Sequence, residues 1–149
     1  MNLELKIPPV IVVIITAVIM LALAQIPMLK LMSSWAVAVL FMLIGGMVIV
    51  MAVAQFAKAK TTVNPMNPND SSQIVAKGIF SVSRNPMYVG MVLILSGLAM
   101  GLGSLLAWLM IIGFVLYMTY FQIKPEEQIL AEKFGDDYVQ YCAKVRRWV

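Results

Sequence analysis

The sequence predicts an all-α integral membrane protein, and three observations lead to that fold class. Of the 149 residues, 62% are hydrophobic and 12% are charged, whereas soluble domains carry roughly 25% charged residues. The mean hydropathy is +0.91. The stretch from Asn85 to Ile123 contains no Asp, Glu, Lys or Arg. A chain of this length with several spans makes one compact bundle, so we predict a single membrane-embedded domain over residues 1–149.

Four apolar runs predict four transmembrane helices, at residues 7–26, 34–57, 85–101 and 104–123. The last two runs share the charge-free stretch, which is nearly twice the roughly 20 residues that one bilayer crossing needs. It therefore fits a hairpin of two helices. Gly101 and Gly103 mark the turn, because closely spaced glycines weaken a helix and permit a tight turn. Gly97 and Gly101 also form a G-x-x-x-G pair that suits close helix packing.

The segments outside the membrane are a loop at 58–84 and a tail at 124–149. Turn-forming residues at 64–71 predict an interfacial loop, which is either a lid or a simple connector. In the tail, Pro125 fits the first turn of a short helix. Gly135 ends that helix, and a second short helix follows.

The distribution of Lys and Arg predicts the orientation. The loop and the tail carry most of these residues, and an even number of spans puts Lys6 on the same side. Only Lys30 falls on the other side. The positive-inside rule therefore places both termini in the cytoplasm, at the inner (plasma) membrane if the chain is prokaryotic. A basic rim beside anionic membrane lipids explains the net charge of +4, so no nucleic-acid partner is expected.

The amino terminus allows a second interpretation. Residues 9–21, followed by Ala22-Leu23-Ala24, resemble the core and cleavage site of a signal peptide. Glu4 and the continuation of the apolar run to Ile26 favour a retained transmembrane span.

Two compositional features restrict the chemistry. The chain has no histidine, which excludes imidazole acid-base catalysis and histidine metal sites. Its one cysteine, Cys142, cannot form an internal disulfide. We therefore expect no metal centre.

Polar clusters stand at both ends of the predicted hairpin. The first is Arg84-Asn85-Pro86-Met87-Tyr88, and the second is Lys124-Pro125-Glu126-Glu127. A hairpin returns to the membrane face from which it started, so both clusters lie at one water interface. There, an arginine and two carboxylates could hold a charged ligand beside an apolar one.

Several motifs together resemble the isoprenylcysteine carboxyl methyltransferase family, and most closely its short prokaryotic members. The resemblance covers residues 61 to 149 with order and spacing preserved. It rests on Thr61-Thr62-Val63-Asn64-Pro65 with Pro68, Gly78-Ile79-Phe80, Ser83-Arg84-Asn85-Pro86-Met87-Tyr88-Val89-Gly90, Glu126-Glu127 with Leu130, Phe134-Gly135-Asp136-Asp137-Tyr138, Tyr141 and Val145-Arg146-Arg147-Trp148. The family's commonest form has a histidine at the position of Asn85.

The resemblance implies an integral-membrane methyltransferase that uses S-adenosylmethionine. Its acceptor would be lipophilic, classically the carboxylate of a prenylated cysteine, and either a small molecule or a prenylated protein. Family members bind the cofactor at the cytoplasmic end of the last spans, under the carboxy-terminal segment. The chain has no G-x-G-x-x-G in a strand-to-helix setting, so a soluble Rossmann-type cofactor site is not expected.

The resemblance also assigns roles to residues. Arg84 offers a planar fork for the acceptor carboxylate, and Trp148 would wall the substrate site. Arg84 and Glu127 are the expected catalytic residues. The expected cofactor-binding residues are Asn85, Pro86, Tyr88, Glu126, Glu127, Tyr138 and Tyr141. Each type also has an ordinary explanation: an arginine snorkels at a span end, acidic residues favour a helix start, and aromatic residues favour a membrane interface.

The sequence also raises two other function classes. Tyr138-Val139-Gln140-Tyr141-Cys142 is similar to the carboxy-terminal pattern of sterol-reductase-type enzymes, which use a nicotinamide nucleotide, but the chain is short for that class. A four-span transporter usually needs an ionisable group inside the bilayer, and no acidic residue falls in a predicted span. The sequence does not distinguish a carboxylate acceptor from an amine acceptor. An amine would also need a base to take its proton, and Glu126 or Glu127 are the candidates.

Overall fold

The computed structural model describes residues 4–27, 30–59 and 73–149, and the regular elements of this part of the chain are helical. The helices are α1 (Pro9–Leu23), α2 (Trp35–Ala59), α3 (Pro86–Leu102), α4 (Leu105–Tyr117), α5 (Lys124–Phe134) and α6 (Asp136–Lys144). A 3-10 turn at Gly78–Ser81 precedes α3, and a π-helical segment at Met118–Ile123 joins α4 to α5. The predicted all-α class is confirmed. The turn-rich run at 64–71 lies outside the described residues.

Within the part of the chain that the structure describes, two helices are long and apolar enough to cross a membrane. They are α2 and the continuous helix Leu105–Phe134 that contains α4 and α5. The other two predicted spans form shorter apolar helices, α1 with 15 residues and α3 with 17. Complete crossings by α1 and α3 therefore stay predictions.

Proline and glycine residues determine three of the helix ends. Pro9 and Pro86 stand in the first turns of α1 and α3, where a missing N–H costs nothing because it would have no partner in the helix. Gly103 ends α3 in the left-handed conformation at φ 56°, and its N–H bonds the Ala99 carbonyl. This conformation favours glycine. The hairpin turn predicted at Gly101 and Gly103 is therefore confirmed.

Pro125 stands in the first turn of α5, as predicted, but α5 is not a separate helix. The chain continues without a break through Leu105–Phe134. Pro125 has no N–H for the carbonyl of Phe121, one turn earlier, and its ring crowds that carbonyl. The helix widens there into a π-helical segment, and the backbone N–H of Leu5 donates to the Phe121 oxygen at 3.0 Å. The proline is thus accommodated inside a longer helix.

This helix is longer than the hydrocarbon core, and it has an apolar part followed by a polar part. Thirty residues at 1.5 Å each span about 45 Å, whereas the hydrocarbon core is about 30 Å thick. The charge-free part ends at Ile123. We therefore place α5, with its acidic first turn, beyond the apolar core.

Glycines hold α2 and α3 together as a close antiparallel pair. A Cβ on Gly45 would lie 2.6 Å from the Gly90 oxygen, and a Cβ on Gly97 would lie 2.6 Å from the Ala38 oxygen. Both distances are shorter than a real side chain tolerates, so the packing role predicted for Gly97 is confirmed. Because Gly45 lies opposite Gly90, the last turns of α2 extend past the N-terminus of α3.

The outer faces of α1 and α2 are apolar and exposed. Leu43 and Val50 on α2 are 66% and 67% exposed, and Val10 and Val18 on α1 are 59% exposed. Soluble monomers rarely expose contiguous apolar surface of this kind. Lipid contact explains it, which agrees with a membrane protein.

Candidate active site

The two polar clusters predicted at the ends of the hairpin meet in the structure. Arg84 precedes α3, and Glu127 lies in the first turn of α5. The Arg84 Nη2 atom lies 3.0 Å from Oε1 of Glu127. The carboxy-terminal segment after α6 contributes a third charged residue, Arg147, to the same place.

Arg84, Glu127 and Arg147 form an arginine-glutamate cluster. Arg147 donates from Nη2 to Glu127 Oε2 at 2.7 Å and from Nε to both carboxylate oxygens at 3.1 Å. These hydrogen bonds raise the pKa of Arg147. The Arg84 and Glu127 side chains are 13% and 15% exposed, and that of Arg147 is 35% exposed. Two cations around one carboxylate leave one surplus positive charge.

The positively charged Arg84 also has an N–H group available to a ligand. The Nε atom of Arg84 is buried and has no partner among the described residues. A buried guanidinium N–H without an acceptor is costly, and a carboxylate is the ligand that matches an arginine fork. The cluster can therefore accept an anionic ligand beside Glu127.

Glu126 has different surroundings from its neighbour Glu127. The Tyr88 hydroxyl donates to Glu126 Oε1 at 2.7 Å, and the Gln122 side-chain amide donates to the same oxygen at 2.6 Å. Both donors are neutral. Burial raises the pKa of the Glu126 carboxyl to about 7, although the two hydrogen bonds partly oppose that rise. Glu126 can therefore hold or release a proton near neutral pH.

The carboxy-terminal segment lies against the start of α3. The side-chain amide of Asn85 donates to the Arg147 carbonyl at 2.9 Å, and the backbone N–H of Arg84 donates to the Arg146 carbonyl at 3.0 Å. The indole N–H of Trp148 donates to Thr119 Oγ1 at 3.2 Å. An amide at position 85 thus fixes the segment that carries Arg147.

The remaining expected site residues lie around this centre. Pro86 is buried in the first turn of α3, and Tyr138 on α6 is 5% exposed. The Tyr141 hydroxyl donates to the Phe80 carbonyl at 2.7 Å. Burial raises the pKa of both tyrosines on α6. The Tyr141 hydroxyl and the contact between the two rings brace α6, and a stacking role on a cofactor stays a prediction for Tyr138 and Tyr141.

Sequence reasoning missed three residues of this arrangement: Arg147, Gln122 and Thr119. Arg147 stood within a quoted motif, but nothing in the sequence separated it from Arg146. Gln122 could have been found from its spacing, because residues four apart share a helix face, and Glu126 follows it by four. No local pattern indicated that Thr119 would receive the Trp148 indole.

Comparison with known proteins identifies the family. A family model described as phospholipid methyltransferase matches residues 33–137. The chain belongs to the phospholipid methyltransferase family. That family includes isoprenylcysteine methyltransferases, so the resemblance found in the sequence is confirmed. This membrane methyltransferase carries Arg84, Glu126 and Glu127 inside the matched region, whereas Tyr138, Tyr141, Arg147 and Trp148 lie beyond it.

Two relatives of the methyltransferase show how far the similarity extends. An uncharacterised protein of Haemophilus influenzae is 49% identical over 63 residues, which are 42% of this chain and 100% of that protein. A protein-S-isoprenylcysteine O-methyltransferase of Schizosaccharomyces pombe is 33% identical over 95 residues, 63% of this chain. The match spans 40% of the yeast protein's length. No solved structure matches the chain.

Proposed function

We propose that this methyltransferase transfers a methyl group from S-adenosylmethionine to a lipophilic acceptor at the cytoplasmic face of the membrane. The acceptor that we favour is a carboxylate on an isoprenoid-like or other lipid-like molecule. The observation that supports this best is the arginine-glutamate cluster. It combines a surplus positive charge with the unpartnered Arg84 Nε, at the polar end of an apolar helical bundle.

The residues present fit the chemistry of the cofactor. S-adenosylmethionine carries a carboxylate, an ammonium group, a cationic sulfonium and ribose hydroxyls. Glu126 and Glu127 offer acceptors for cationic or hydroxyl groups, while Arg84 offers donors for a carboxylate of either the acceptor or the cofactor. The cofactor supplies the methyl group. Asn85, Pro86, Tyr88, Tyr138 and Tyr141 surround these charges and are our candidates for further cofactor contacts.

The chain's own contribution is positioning and shielding. Methyl transfer to a carboxylate is an in-line displacement, which gains most from holding the two reactants in line in a site that excludes water. Arg84 would orient the carboxylate, with Trp148 as a wall of the acceptor site. Arg147 would keep the carboxy-terminal segment over the site through its hydrogen bonds to Glu127, and Asn85 would do so through its hydrogen bond to the Arg147 carbonyl.

We further propose that the protein crosses the membrane four times. In this arrangement both termini and residues 58–84 face the cytoplasm, and the membrane is the inner membrane if the chain is prokaryotic. The polar face at Arg84, Glu126 and Glu127 would then receive the soluble cofactor, while the bilayer supplies the lipophilic acceptor.

A methyl-transfer assay tests the proposal. Reconstituted protein is incubated with methyl-labelled S-adenosylmethionine and a lipid extract, and the label is counted in the organic phase. We expect label that mild alkali releases as methanol, because a methyl ester is hydrolysed whereas an N-methyl group is not. Arg84→Ala should abolish the transfer. Arg146→Ala, which removes the neighbouring exposed cation, should retain it. Alkali-stable label would refute the carboxylate acceptor, and no label in any extract would count against methyl transfer.

A further inference from the structure

The structure contains a cleft away from the candidate active site. The cleft has a volume of about 370 Å³ and lies between the last turns of α2 and the segment 73–77. Among the described residues, four polar ones line it, Gln55, Lys58, Gln73 and Lys77, together with aliphatic residues. We propose that this cleft binds a phosphate group, carried either by a membrane lipid or by a small soluble phosphate ester.

The charges of the cleft favour a phosphate group. Lys58 and Lys77 bring two positive charges, and the described lining residues include no acidic side chain. An ammonium group is a compact charge with three donors, and lysine is a common phosphate ligand. The Gln55 amide adds a neutral donor.

Contacts on both sides fix the walls of the cleft. The Gln73 side-chain amide donates to the Ala59 carbonyl and ties one wall to the end of α2. Just beyond the cleft, the rings of Phe56 and Phe80 meet edge to face, with centroids 5.1 Å apart. The Phe80 carbonyl in turn accepts the Tyr141 hydroxyl. A preformed cleft spares a ligand the cost of ordering its own site.

The position of the cleft along the helical bundle corresponds to the level of the lipid phosphate groups at the membrane surface. The last turns of α2 extend past the N-terminus of α3, so Lys58 stands beyond the apolar bundle at the end that carries Arg84. Juxtamembrane lysines attract anionic headgroups at that level. The proposal does not depend on methyl transfer, since no residue of the arginine-glutamate cluster lines the cleft.

Two matched pairs of ligands test the proposal and separate the two sources of phosphate. Protein in nanodiscs of neutral lipid is supplied with phosphatidic acid or with diacylglycerol, which lacks the phosphate, and native mass spectrometry counts the retained molecule. In detergent, the shift in unfolding temperature is measured with glycerol 3-phosphate and with glycerol. We expect retention of phosphatidic acid over diacylglycerol. Stabilisation by glycerol 3-phosphate alone would instead identify a soluble ester as the source.

Variants show whether the cleft is the site. Lys58→Gln with Lys77→Gln should weaken phosphate binding about tenfold or more, and the corresponding double arginine variant should retain most of it. Lys133→Gln with Lys144→Gln removes the same charge from exposed positions on α5 and α6, and should change binding less than about twofold. Lys77→Gln is also measured alone, in case the double variant does not fold. Equal losses in both double glutamine variants, or no preference for either phosphate ligand, would overturn the proposal.

Discussion

At the scale of residues, two adjacent carboxylates have different electrostatic surroundings, one cationic and one neutral. Glu127 is held by two arginines, whereas Glu126 is buried among neutral donors. The sequence predicted that Arg84 would approach this pair, because the hairpin returns to its starting face. It could not separate the two glutamates, nor Arg147 from Arg146. Those distinctions depend on a contact between Arg147 and a residue 20 positions earlier.

The pKa of Glu126 predicts how stability depends on pH. The folded value of about 7 lies above the ordinary 4.5, so the folded state binds more protons between these values and stability falls as the pH rises through 7. The chain has no histidine to obscure this window. The unfolding temperature in detergent should therefore drop between about pH 5.5 and about pH 8, and Glu126→Gln should flatten the profile. Glu132→Gln, on the exposed side of α5, is the control. An unchanged slope in Glu126→Gln would contradict this assignment.

At the scale of elements, the sequence predicted both ends of α1, α2 and α3 and the start of α4 to within three residues. Pro9, Pro86 and Gly103 act locally, through a fixed φ or a left-handed turn, so their effect is readable without tertiary structure. The continuity of the helix through Pro125 was not predicted, for the opposite reason. Whether a proline begins a helix or is absorbed by a widened turn depends on another partner for the freed carbonyl, and here that partner is the distant Leu5 N–H.

The pairing of α2 with α3 gives a second prediction. Gly45→Ala should lower the unfolding temperature, because the new methyl group would meet the backbone oxygen of Gly90 at 2.6 Å. Gly46 is the matched control, since a Cβ there meets nothing within 4 Å. Gly46→Ala should be neutral or stabilising, as alanine favours a helix over glycine by about 1 kcal/mol. Equal effects of the two substitutions would show that the close contact between the helices is absent.

At the scale of the whole molecule, composition predicted a membrane protein and the positions of Lys and Arg predicted its orientation. The four-span topology is testable by single-cysteine labelling with an impermeant reagent, in a background without Cys142. Met32→Cys, at a position that is 94% exposed, should react only from outside. Lys77→Cys and Asp137→Cys should react only from the cytoplasmic side. Reaction of Met32→Cys and Lys77→Cys from the same side would contradict a crossing by α2, and with it the four-span topology.

We propose that the polar clusters at the ends of the hairpin form one site for S-adenosylmethionine. Calorimetric titration of the detergent-purified protein with S-adenosylhomocysteine, beside a reduced nicotinamide nucleotide, tests it most directly. We predict binding of S-adenosylhomocysteine alone. Glu127→Gln should weaken it about tenfold or more, since a charge-assisted hydrogen bond contributes about 1.5 to 3 kcal/mol, while Glu132→Gln should bind normally. Binding of the nicotinamide nucleotide instead, or normal binding by Glu126→Gln and Glu127→Gln singly and together, would contradict the account.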